Sequence, residues 1–148
     1  MLGMQSSTLL PRVLAFLLPH PVGYRLAWSR AGSAAPLHAW RPLPPSDEFV
    51  ALGLVCTVGS EPPGVEEVRC VPVGWTSGAP PPKRVWEDSG RGGRPGCLWA
   101  VDGQPGGGGL MLLGVSAHRQ QPPTDVKQLA AKEFWLHTRP WPSSVLVE

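Results

Sequence analysis

The run Phe49-Val-Ala-Leu-Gly-Leu-Val-Cys-Thr-Val58 is almost entirely apolar and ends at the turn-forming residues Gly59-Ser-Glu-Pro-Pro63. An apolar run of this length, bounded by Gly and Pro, is typical of a strand buried on both faces. Gly53 within it marks a bulge or a close approach of another backbone. Residues 65–73 then alternate in part between apolar and charged side chains, which predicts a second, paired strand with one wetter face.

Landmarks around this run recur about sixty residues later in the same order. Such a period suits a short tandem of small β units, each too small to bury its apolar face alone. We assign the units to residues 24–79 and 83–136, joined by the stiff connector Pro80-Pro-Pro82. At offsets of 58, 59, 61 and 60 residues, the matched pairs are Trp28 with Trp86, Trp40 with Trp99, Gly53 with Gly114, and Pro62 with Pro122.

The second unit contains further runs of strand length at residues 83–86, 97–101 and 110–115. The glycine-rich stretch before the last run lacks the Lys-Ser or Lys-Thr of a phosphate-binding loop and is interpreted as a flexible connection. A short C-terminal helix is a candidate at residues 125–135, with Thr124 as its N-cap, and a strand is the alternative there. We therefore predict an all-β fold of two tandem pseudo-repeats in a sandwich or prism-like domain.

The composition bounds the class of protein. The 148 residues have room for one domain, and the 18 glycines and 19 prolines are interpreted as turn residues because seven tryptophans argue against a disordered chain. The four repeated tryptophans are predicted to pack the unit cores, which leaves Trp75, Trp135 and Trp141 as candidates for exposed contacts. A net charge of +2, with scattered charges, excludes a phosphate-neutralising stripe and hence nucleic acid as a partner.

The reactive residue types show no catalytic spacing. The three cysteines (Cys56, Cys70 and Cys97) lack metal-ligand or disulfide spacing, so we expect reduced, mostly buried thiols in a cytosolic setting and no metal or cofactor. The four histidines are dispersed, and they and the pair Glu87-Asp88 are interpreted as surface polar residues. We expect the chain not to be an enzyme and to have no catalytic residues.

Residues 1–23 and 137–148 lie outside the predicted units. The first segment has no acid, and its apolar run Val13-Leu-Ala-Phe-Leu-Leu18 is shorter than a membrane span of about 20 residues. It is also shorter than the apolar part of a secretory signal. We predict a disordered or leader segment over residues 1–23, with a transit peptide as an alternative, and a tail over residues 137–148.

The first unit resembles a known repeat. Trp40-Arg-Pro-Leu-Pro-Pro-Ser-Asp-Glu-Phe-Val-Ala-Leu-Gly, with the following Pro62-Pro63, is similar to the repeat of the vacuolar protein sorting-associated protein 62-like module. The same module occurs within vacuolar protein sorting-associated protein 13 type lipid-transfer proteins. The second unit is a looser match through Val85-Trp-Glu-Asp-Ser-Gly90 and Leu98-Trp99. The likeness covers about residues 24–136 and departs from the pattern at residues 100–103 and 106–109.

This resemblance implies a binding module in vacuolar sorting or at membrane contact sites. Its expected partners are organelle-membrane or sorting proteins, with weak contact to a membrane surface and a location that is cytoplasmic or peripheral on organelle membranes. Because the lipid path of the large relatives lies elsewhere in their chains, we expect this chain to be a fragment or a small relative. The alternative is a lectin-like or lipid-headgroup-binding β module. The candidate contacts for an anionic headgroup are Lys83, Arg84, Arg91 and Arg94.

Overall fold

The computed structural model of the chain describes residues 6–30, 34–88, 95–102, 111–116 and 121–130. Within these ranges the protein is mostly β, which confirms the predicted fold class. Two short 3-10 helices, Val65–Glu67 and Val73–Trp75, accompany the longer elements. Those elements are α1 (Ser6–Leu17), β1 (Gly23–Arg30), β2 (Leu37–Leu43), β3 (Phe49–Val50), β4 (Val55–Thr57), β5 (Val71–Pro72), β6 (Thr76–Gly78), β7 (Lys83–Glu87), β8 (Cys97–Asp102), β9 (Met111–Ser116) and β10 (Lys127–Leu129).

The strands of the described residues form four small antiparallel sheets. Two have three strands, in the orders β1-β2-β4 and β7-β8-β9, and two have two strands, β3-β5 and β6-β10. The predicted strands of the second unit are confirmed as β7, β8 and β9. A pair of strands alone is marginal in water, so these sheets depend on packing against one another.

The two three-stranded sheets share their strand register. Trp40 lies opposite Val55 in one sheet, and Trp99 lies opposite Gly114 in the other, at a common offset of 59 residues. The pairings of β1 with β2 and of β7 with β8 each carry an irregularity, directly before Trp28 and Trp86. This register matches Gly114 with Val55 and not with Gly53, because the chain turns at Gly53. The tandem repeat itself stays a prediction.

The core joins the two three-stranded sheets. Trp28 and Ala39 from the first sheet cluster with Leu54, and Trp86 and Val115 from the second sheet pack against them. The rings of Trp28 and Trp86 meet edge to face, with centroids 5.6 Å apart and planes inclined by 65°. Such an aromatic pair contributes about 0.5–1.5 kcal/mol beyond the area it buries. Neither sheet therefore has a complete core of its own.

The single strand predicted over residues 49–58 is divided into β3 and β4. Gly53 has a φ of 70°, in the left-handed region that glycine adopts without strain, and it turns the chain between two different sheets. The strand predicted over residues 65–73 is wrong except at Val71–Pro72. Val65–Glu67 forms a 3-10 turn instead, and the amide of Cys70 donates to the carbonyl of Pro19 at 2.7 Å.

The C-terminal helix predicted over residues 125–135 is wrong for Lys127–Leu129, which forms strand β10 in agreement with the alternative interpretation. Strand β10 pairs with β6, and flanking backbone bonds run from Ala79 to Val126 and from Ala130 to Trp75. A long-range partner for the backbone therefore outweighs the local helical pattern. Residues 131–135 of the predicted helix lie outside the described residues.

The segment predicted as disordered or a leader contains α1, so the expectation of disorder is wrong for Ser6–Leu17. Leu17 is buried, and the Arg69 guanidinium donates to the carbonyl of Leu18 at 2.8 Å. The His20 ring nitrogen Nδ1 lies 2.7 Å from the carbonyl oxygen of Val68. These contacts attach the end of the helix to the β body. The leader and transit-peptide interpretations stay predictions.

Candidate functional site

Lys83 and Arg84 begin β7, an outer strand of its sheet, and both side chains are exposed. These two of the four predicted headgroup contacts are neighbours in one strand, where successive side chains point to opposite faces. The Arg84 guanidinium also lies 3.1 Å from the carboxylate of Glu87, three residues further along the same strand. That ion pair reduces the positive charge which this surface offers to an anion. Arg91 and Arg94 lie outside the described residues.

The repeated tryptophans are core residues and not surface residues, as predicted. Trp40 and Trp99 are each 8% exposed. Their indole Nε1 groups donate to the hydroxyl of Thr57 at 2.9 Å and to the hydroxyl of Ser116 at 3.0 Å. These matching hydrogen bonds satisfy the polar end of each ring, as a buried indole requires. Tryptophan at these positions therefore serves the fold.

The predictions for the other tryptophans have different outcomes. Trp28 is buried, whereas Trp86 is half-buried against the shared core. Trp75, which was a candidate for an exposed contact, is half-buried, and its carbonyl accepts from Ala130. Trp135 and Trp141 lie outside the described residues. The described part of the chain thus shows no exposed tryptophan that could serve as a binding anchor.

An ion pair connects the ends of β1 and β7. The Arg30 guanidinium lies 3.5 Å from the Asp88 carboxylate and 6.0 Å from the centre of the Trp86 ring. Asp88 is only 1% exposed, so its interpretation as a surface residue is wrong. The amide of Asp88 also donates to the carbonyl of Gly96. A buried carboxylate needs a partner of opposite charge, and the pair with Arg30 connects β1 of one three-stranded sheet with the end of β7 of the other.

An open cavity of about 580 Å³ lies between β2, β9 and the segment that leads into β10. It is bounded by an ion pair of 2.7 Å between Arg41 and Asp125. Its other lining residues mix polar side chains with prolines and include Ser116, Gln121, Pro123 and Thr124. The cavity could hold a small polar molecule. Sequence reasoning missed it, because Arg41 and Asp125 belong to distant segments and neither carries a local motif.

The described residues show neither a metal centre nor an activated nucleophile. No group of three potential metal ligands occurs among them. Cys56, Cys70 and Cys97 are free thiols, and burial raises the pKa of Cys56 and of Cys70. A raised pKa keeps these thiols protonated at neutral pH, whereas a nucleophilic thiol needs a lowered pKa. The absence of catalytic activity stays a prediction.

The described histidines have structural surroundings. His20 contacts a backbone carbonyl, and His38 is buried with its ring stacked on Trp40, centroids 6.3 Å apart. The expectation of a surface residue is therefore wrong for His38. His118 and His137 lie outside the described residues. His38 lies opposite Ser29 on β1 and Thr57 on β4, and its Nδ1 atom has no hydrogen-bond partner among the described residues.

The small antiparallel sheets, their shared tryptophan core and the open cavity define a mostly β module. The chain belongs to the vacuolar protein sorting-associated protein 62 family, whose model matches residues 5–119. This match confirms the resemblance drawn from the first unit. It begins 19 residues before the unit that the sequence predicted and includes all of α1.

A solved structure supports the same fold. The crystal structure of GNIP1Aa from Chromobacterium piscinae is similar, with a TM-score of 0.58 and 30% sequence identity. The likeness covers 72% of this chain and 22% of that one, so this chain spans about a fifth of its length. None of the curated proteins matches the chain. No helix in the described part of the chain is long and apolar enough to cross a membrane.

Proposed function

We propose that the chain is a non-catalytic binding module of the vacuolar sorting machinery. The observation that carries the proposal is the family match over residues 5–119. The expected partners are sorting proteins or proteins of organelle membranes. The corresponding location is the cytoplasm, peripheral on those membranes.

The described surroundings of the reactive residues support binding over catalysis. The two thiols with raised pKa values are poor nucleophiles, and the described histidines contact backbone or an aromatic ring. The buried polar groups of Trp40 and Trp99 serve the core. Turnover of a substrate by the purified full-length chain would contradict the proposal.

A relation to lipid transport at membrane contact sites is a finer proposal. It rests on the likeness of the first unit to the module within the large lipid-transfer proteins. On this proposal the chain is a fragment or a small relative and contributes attachment, while a lipid path is supplied elsewhere. Lipid transfer between vesicles by the isolated chain would contradict this proposal, because the chain would then supply a lipid path itself.

Affinity capture with the tagged full-length chain tests the main proposal. We expect sorting or organelle-membrane proteins to be enriched over a control bait. Lys83→Glu and Arg84→Glu in one variant reverse the charge of the exposed end of β7, and Lys127→Glu is a matched control on another exposed lysine. Loss of partners in the first variant alone assigns the contact to β7. Capture that does not differ from the control bait would overturn the proposal.

A lectin-like or headgroup-binding function is the second candidate, and the cavity beside the Arg41–Asp125 pair favours it. A guanidinium and a carboxylate at one opening suit a small polar or zwitterionic ligand. Calorimetric titration with soluble sugars and with glycerophosphate headgroups tests it. Binding that is lost in Asp125→Asn supports this function, whereas no heat change with either class of ligand excludes it.

A further inference from the structure

We propose that helix α1 is an interfacial anchor that lays its apolar face on an anionic lipid bilayer. This inference deepens the proposed function, because it rests on the membrane contact suggested there and assigns that contact to a surface other than β7. The helix carries Leu9, Leu10, Val13 and Phe16, whose side chains are between 44% and 63% exposed. Soluble proteins seldom leave a contiguous patch of large apolar side chains open to water without a binding role.

Three of the four exposed side chains lie in one row along the helix. Leu9, Val13 and Phe16 are four and then three residues apart, the spacing that places side chains in one row on a helix. The side that faces the β body adjoins this row, because Leu17 follows Val13 by four residues. Leu17 is buried, while Leu14 and Leu18 are half-buried. The apolar row therefore lies beside the packed side of the helix and is open to water.

The attachment of the helix holds this row in a defined position. Arg69 donates to the carbonyl of Leu18, Cys70 donates to the carbonyl of Pro19, and His20 contacts the carbonyl of Val68. All three contacts lie at the C-terminal end of the helix. At its other end, Leu9 and Leu10 are exposed.

Charge selects a bilayer with anionic lipids as the occupant. Residues 1–46 contain no Asp or Glu, and the one charged residue of α1 is Arg12. Arg12 is exposed and lies three residues from Leu9 and four from Phe16, so it borders the apolar row. An apolar face bordered by arginine is typical of helices that bind in the plane of an anionic interface.

The size of the helix fits the same occupant. Its 12 residues extend about 18 Å, well short of the length needed to span a bilayer. Such a helix can lie in the headgroup region and insert its leucines and phenylalanine, while the β body stays in water. The module would then face the membrane with α1 and keep β7 and the cavity free for other partners.

Flotation of the full-length chain with vesicles tests the inference. The vesicles are phosphatidylcholine alone or phosphatidylcholine with added phosphatidylserine. We expect binding to the mixed vesicles. Phe16→Glu or Val13→Glu should weaken this binding by about tenfold or more, because each replaces an apolar side chain that inserts into the bilayer by a charged one. Arg12→Gln should reduce the preference for phosphatidylserine. The matched control is Val58→Glu, which changes an exposed valine in the loop after β4 and should bind as the parent chain does.

Unchanged circular dichroism in each variant shows that the fold is intact, as expected for exposed positions. Equal binding by the parent and Phe16→Glu would overturn the inference, as would equal loss in Phe16→Glu and Val58→Glu. A third outcome would also overturn the inference. The parent chain would sediment as a dimer and not bind vesicles, and Phe16→Glu would convert the dimer to a monomer. The apolar row would then be a contact between two copies of the chain. Captured sorting partners that persist while vesicle binding is absent refute this inference alone and leave the proposed function intact.

Discussion

Replacement of Trp99 by Ala should be severely destabilising. The ring is 8% exposed in the centre of β8, and its indole donates to Ser116 on the adjacent strand. A tryptophan side chain buries about 150–250 Å², which corresponds to about 4–6 kcal/mol of transfer free energy as an upper bound. Measured substitutions of buried tryptophan by alanine cost about 3–5 kcal/mol.

The expected loss is large against the total stability of such a domain, about 5–15 kcal/mol. Trp40→Ala should cost a similar amount, because Trp40 has the same exposure and an equivalent hydrogen bond to Thr57. Trp99→Phe keeps part of the apolar area, but it loses the indole donor and leaves a smaller gap, so we expect it to cost less than Trp99→Ala. Val85→Ala, at an exposed position in β7, should change the stability by less than about 0.5 kcal/mol.

Urea denaturation followed by far-UV circular dichroism measures these differences, since tryptophan fluorescence would itself change with the substitution. The midpoint should shift while the slope stays constant, which indicates a change in stability rather than in the unfolded state. A Trp99→Ala variant with the parent midpoint would refute the assignment of this ring to the core. Loss of a captured partner in that same variant would then favour an aromatic binding surface.

Two further predictions concern packing and pH. Gly96→Ala should destabilise the fold by about 1–3 kcal/mol, because a β-carbon there would collide with the indole ring of Trp28. Gly78→Ala, where the added carbon meets nothing, is the control, and equal thermal shifts in the two variants would contradict this. Burial raises the pKa of Cys56 and of Cys70, so the folded state holds these protons more tightly than the unfolded state does. The free energy of unfolding should therefore fall as the pH rises above about 8.5. Cys70→Ala should make this fall less steep in denaturation experiments across alkaline pH. An unchanged slope in that variant would show that other groups cause the fall.

Several features of the chain were predictable because they depend on local sequence. The Val-rich and Trp-containing runs of the second unit match the period of a strand, and they form β7, β8 and β9. The repeated positions of Trp40 and Trp99 indicated core residues, and both are buried. The motif that begins at Trp40 likewise indicates the family, because its closely spaced Trp, Pro and Gly residues are all contained in one short segment.

Other features depend on partners that are far away in the sequence. The candidate headgroup contact was predicted from four basic residues that lie close together along the chain. The ion pair of Arg84 with Glu87, which reduces the charge offered to a headgroup, depends on side-chain geometry that the sequence does not show. The cavity at Arg41 and Asp125 arises only when distant segments meet. No local pattern reports such a meeting.

The sequence by itself determined the mostly β character, the buried tryptophans and the family, because strand periodicity, large apolar side chains and short motifs are carried by neighbouring residues. Only the tertiary structure decided that residues 127–129 form a strand and that α1 is attached to the body at one end. It also decided that Asp88 is a buried partner of Arg30. In each case a backbone or charged group takes the partner that lowers its free energy in the folded chain, and that partner lies dozens of residues away.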